Sequence, residues 1–139
     1  MVTIKNKKVV YFADIMCSVK NPTIQEEWDN EVAKKLKEEG LIFENVKCME
    51  SPPFGEGYDI LFFDWGGMSI GNSMLGSFCR AITREAADKP NTYYVMVSNF
   101  TSRAMEDALE TLDNVDKLPN IFLNVSLFAE FYKNDLKYQ

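Results

Sequence analysis

The chain has 139 residues, 46% of them hydrophobic and 13% aromatic, with a formal charge of −6. That length and apolar content argue against disorder and suit one domain that buries about two-thirds of its unfolded surface. The acidic balance disfavours a nucleic-acid partner, whose phosphates the overall field repels.

Lys5, Lys7 and Lys8 form a small basic cluster, read as the solvated lead-in to a first strand. That strand, Val9–Ala13, is apolar on both faces, as a central strand covered by helices should be, and ends at Asp14. A helix starts at Asn21-Pro22, or at Thr23 with Glu26 at capping-box spacing. Its buried stripe is Ile24, Trp28, Val32 and Leu36, and Gly40 ends it. Phe43–Met49 is a second strand, near an edge because Val46 and Cys48 alternate with Lys47. The Pro- and Gly-rich stretch 51–57 is too short for a helix, so the crossover is a bare loop or the second strand is antiparallel.

Ile60–Phe63 is a buried third strand, opened by Asp59 and closed by Asp64. Gly66-Gly67 turns the chain, and Ser69, Asn72 and Ser73 lead into a helix with Met74, Leu75, Phe78, Cys79, Ile82 and Ala86 on one face. Thr92–Val97, closed by Ser98-Asn99, is the fourth strand. Thr101 or Ser102 caps a helix striped by Ala104, Met105, Ala108, Leu109 and Leu112. Ile121–Val125 is the last strand, and Ser126 caps a final helix over Ser126–Lys137. Leu127, Phe128 and Phe131 of that helix should pack on Ile24, Trp28 and Val32, with Tyr132 at the margin.

Strands alternating with helices predict an α/β fold with helices on both faces of a mostly parallel five-stranded sheet. Right-handed crossovers and one reversal of strand order make it a three-layer, flavodoxin-like (Rossmann-like) arrangement, order 2-1-3-4-5, over residues 1–139.

There is no histidine, and Cys17, Cys48 and Cys79 are widely spaced. A structural zinc site and histidine-assisted nucleophilic catalysis within one chain are therefore disfavoured. The thiols read as small core residues in a reducing cytoplasm. No apolar run approaches a membrane span, and MVTIKNKKVV lacks a signal-peptide pattern.

In open α/β sheets ligands bind at the carboxyl ends of the strands. Asp14, Asp64 and Ser98 end three adjacent strands on that edge. Asp14 and Asp64 could share a magnesium ion, which prefers oxygen ligands, and Asp64 could attack phosphorus. The plainer reading is that polar residues end strands at the surface and cap the helices that follow. The stretch 66–73 has the spacing of a phosphate loop, with Asn72 where the lysine belongs. Its amides and the following helix start could hold an anion, but without that lysine nucleotide hydrolysis is disfavoured. Gly66, Gly67, Ser69, Asn72, Ser73, Ser98 and Asn99 are the candidate ligand contacts.

YDILFFDW, with Asp64 at its end, resembles the phosphoacceptor strand of response-regulator receiver domains. The resemblance matches Asp14 to an acidic metal ligand and Ser98 to the hydroxyl residue ending the fourth strand. No second acid adjoins Asp14, and NIFLNVS carries no lysine, so it implies a degenerate receiver used for binding. FFDWGGM is also similar to the nucleophile motif of the haloacid-dehalogenase superfamily, and VMVSN to its second motif. Tyr132-Lys133-Asn134-Asp135 is loosely similar to its lysine motif, while the later acidic pair has no counterpart.

The function expected is non-catalytic binding of a small anionic ligand or a protein partner at the carboxyl edge. The alternatives are an Asp64-dependent, magnesium-assisted phosphotransfer or phosphohydrolase enzyme, and a structural homo-oligomer assembled through the aromatic final helix.

Overall fold

The three continuous apolar runs form the centre of the sheet. In the computed structural model, residues 1–13, 23–50, 53–64, 72–97, 118–122 and 124–137 are described, by backbone alone over 72–79 and at 137. The elements are β1 (Val2–Ile4), β2 (Val9–Ala13), α1 (Ile24–Glu27), a π-helical segment (Trp28–Ala33), α2 (Lys34–Glu38), β3 (Leu41–Phe43), β4 (Lys47–Met49), β5 (Ile60–Asp64), α3 (Asn72–Asp88), β6 (Tyr93–Val97), β7 (Ile121–Phe122) and α4 (Val125–Lys137).

The main sheet has the order β4-β2-β5-β6-β7, and each of its pairings is parallel. Taken by themselves in chain order, its five strands run second, first, third, fourth, fifth. Labels counted over the whole chain differ from the expected order because β1 and β3 add a separate parallel pair. The architecture is α/β and consistent with a three-layer flavodoxin-like fold.

Ile60, Leu61, Phe62 and Phe63 are all buried, as are Val95, Met96 and Val97 beside them. Their parallel pairing explains the missing alternation: both faces of these strands are covered. On one face, Tyr11, Ile60, Phe62 and Val95 pack with Trp28, Val32 and Leu36 of the first helical stretch and with Phe128 and Tyr132 of α4. On the other, Val10, Phe12, Leu61, Phe63, Tyr94 and Met96 pack with Ile82 and Ala86 of α3.

The expected second strand, Phe43–Met49, is two strands. β3 pairs with β1 and β4 with β2, and between them Asn45 sits at φ 61°. Asparagine tolerates this left-handed conformation, which breaks the ladder. The pairing offset changes by two residues between Val2↔Leu41 and Val10↔Lys47. The extra residues fall on the stretch 5–8, so the lysine cluster is an excursion between two ladders. Lys8 is tied down there: its N–H donates to Asp59 Oδ2 at 2.7 Å, and its Nζ donates to the Glu56 carbonyl at 3.0 Å.

The direction left open by the sequence is parallel, and β4 is an edge strand with Lys47 exposed. Residues 53–59 cross over without a helix. Phe54 stacks on Phe63 at 5.6 Å and Tyr58 is buried, so loop aromatics cover the sheet where a helix would otherwise lie.

The first helical stretch begins as its capping signal predicts. Thr23 Oγ1 accepts from the Glu26 N–H at 3.1 Å, and Gly40 at φ 85° ends the stretch. Its middle is π-helical, which the four-residue repeat of apolar positions did not announce. Trp28 lies there, 5.4 Å from the Tyr11 ring and 5.2 Å from Phe62.

α4 departs from expectation at its start and on its buried face. Val125 is its first residue rather than a strand end, and Asn124 caps it: the Leu127 N–H donates to Asn124 Oδ1 at 2.8 Å. The buried stripe is Val125, Phe128, Ala129 and Tyr132, the i, i+3, i+4, i+7 pattern of a helix on a sheet. Leu127 and Phe131 are 50% and 40% exposed, so the expected burial of both is incorrect. Lys133 pairs with Glu39 at 3.0 Å where α4 lies beside α2.

Asn120, the residue before β7, is a buried tie. Its Nδ2 donates to the carbonyls of Ala86, Lys89 and Thr92 at 3.0, 3.0 and 2.9 Å. It thereby joins the end of α3, the turn after it and the start of β6. Asn120→Ala removes these donors and is expected to cost about 1–2 kcal/mol, since water can reach some of the released carbonyls. Urea unfolding checks this, and a midpoint equal to wild type would mean that the tie is redundant.

Candidate functional site

Ala13, Asp64 and Val97 end β2, β5 and β6 in one register, Ala13↔Asp64↔Val97, and define the carboxyl edge. Asp64 is 6% exposed and is the one buried carboxylate among the described residues. By strand alternation it shares a face with Ile60 and Phe62, under the first helical stretch. On the neighbouring strand Tyr11 is paired with Phe62, and its hydroxyl donates to Asp64 Oδ2. Tyr11 is itself fully buried, with its ring held by Trp28.

Electrostatics fix the state of this donor. Burial, then the charge of Asp64 and its hydrogen bond, and then the charges of Glu27 and Glu31, push the Tyr11 hydroxyl far above the usual tyrosine range. Tyr11 is therefore a permanent donor at physiological pH and cannot serve as a phenolate base. Burial first, then the charges of Asp64, Glu31 and Glu26, raise Glu27 above the usual glutamate range. The site thus has an acidic rim on its helical side, with Asp64 bonded behind it.

The raised Glu27 has a signed consequence for stability. The folded chain holds this proton more tightly than the unfolded chain. Its contribution is therefore most favourable below the ordinary glutamate range and is lost as pH rises through the raised value. Glu27→Gln should remove this component, so the variant should lose less stability than wild type between mildly acidic and neutral pH. Denaturant midpoints at both pH values measure it, and parallel pH profiles would count against the coupling.

Of the sequence-predicted residues, Asp64 is where the reading placed it, at the carboxyl end of a central strand. Asn72 and Ser73 open α3, described by backbone alone. Asp14, Gly66, Gly67, Ser69, Ser98 and Asn99 lie outside the described residues, as do Cys17 and the helix expected around Ala104–Leu112. No group of three or more acidic or cysteine side chains suited to a metal occurs among the described residues. Within that set Asp64 is bonded to Tyr11, while Asp14, its expected partner in holding magnesium, is not among the described residues. No helix among the described residues is long and apolar enough to cross a membrane. Cys48 is partly buried, beside Gln25, and burial followed by the Asp29 charge raises its thiol.

Tyr11 is the site residue that the sequence reading passed over. The available signal was a residue with a polar tip inside VVYFA, two positions before the strand end and beside a strand that closes on aspartate. The fold and this edge define an α/β protein with a parallel sheet and a buried tyrosine–aspartate pair at its carboxyl edge. No family model, curated protein or solved structure matches the chain.

Proposed function

We propose that the protein is a non-catalytic binding domain whose ligand, a small anion or a protein partner, is taken at the carboxyl edge of the sheet around Asp64. The observation that supports this most is the Tyr11–Asp64 hydrogen bond. It commits a buried carboxylate to an internal donor, which suits a fixed framework better than an attacking nucleophile. The resemblance to a degenerate receiver fits the same reading. Because Asp64, Glu27 and Glu31 make the helical side acidic, an anion would be held away from that side, and Gly66, Gly67 and Ser69, which follow β5 in sequence, are the proposed amide donors.

A panel of inorganic phosphate, nucleotides, phosphorylated metabolites and magnesium, read by thermal shift and then by amide chemical-shift mapping, tests the proposal. A ligand specific to the folded state adds about 2.7 kcal/mol at one hundred times its Kd. The expected result is a shift in melting temperature with perturbed amides at Ala13, Asp64 and Val97. Perturbation confined to the amino ends, at Val9, Ile60 and Tyr93, would overturn it. So would acyl-phosphate labelling that is lost in Asp64→Asn, since that outcome belongs to the phosphotransfer enzyme.

A further inference from the structure

We draw no further inference here: the strongest candidate, the exposed apolar patch of Leu127 and Phe131 on α4 beside the edge strand β7, carries nothing because nothing in the structure shows what covers it.

Discussion

Phe128→Ala is expected to destabilise the protein by roughly 3–5 kcal/mol, the range for deleting a fully buried phenylalanine side chain. Phe128 has no exposed surface, and its ring lies 5.6 Å from Phe62, 5.4 Å from Phe122 and 5.4 Å from Tyr132. Removing it opens a cavity between α4 and the sheet, where Phe43 and Tyr93 also make ring contacts. Those neighbours come from β3, β5, β6, β7 and α4 itself, so no single segment can collapse into the space. Phe131→Ala is the matched control. That ring is 40% exposed and leans on Tyr93 at 5.8 Å and Phe122 at 5.2 Å. Its loss should cost about 1 kcal/mol, in proportion to the smaller area it buries. Urea denaturation of both variants, fitted with a common slope, gives the comparison. Equal losses, or a larger one for Phe131→Ala, would mean that α4 is rotated from the orientation described.

The same helix explains where the sequence was ambiguous. Apolar residues occupy adjacent positions at Leu127-Phe128 and again at Phe131-Tyr132, while Val125 precedes them. Two overlapping stripes therefore satisfy helical periodicity, and the choice between them is made by the sheet underneath. The central strands carried no such ambiguity. Four or five apolar residues in a row, bounded by polar ones, can be satisfied only where both faces are covered. β1 was illegible for the opposite reason. Val2-Thr3-Ile4 is short and followed by lysines, and only pairing with β3 makes it a strand. The Tyr11–Asp64 bond joins residues 53 apart in sequence, so no local pattern encodes it. It emerges once the register aligns Tyr11 with Phe62 and leaves Asp64 two residues beyond.

Tyr11→Phe tests that bond with the least disturbance. The ring and its contact with Trp28 are kept, and only the hydroxyl is lost. A hydrogen bond to a charged group contributes about 1.5–3 kcal/mol, and the loss should fall in that range because the carboxylate left behind is still buried. Asp64→Asn should cost less. Its side-chain oxygen can still accept from Tyr11, and removing the charge relieves the field on Glu27. In the double variant, Tyr11→Phe with Asp64→Asn, the cost should be smaller than the sum of the two, because the residues share one interaction. If the single costs simply add, or if Tyr11→Phe unfolds at the wild-type urea midpoint, the bond does not hold the edge together. A positive coupling would instead establish the pair as the rigid floor of the carboxyl edge. Ligand titration of Tyr11→Phe then separates floor from contact. A floor residue should weaken binding in step with the loss of local order, seen as faster amide exchange at Ala13 and Asp64. A direct ligand contact would weaken binding with exchange unchanged.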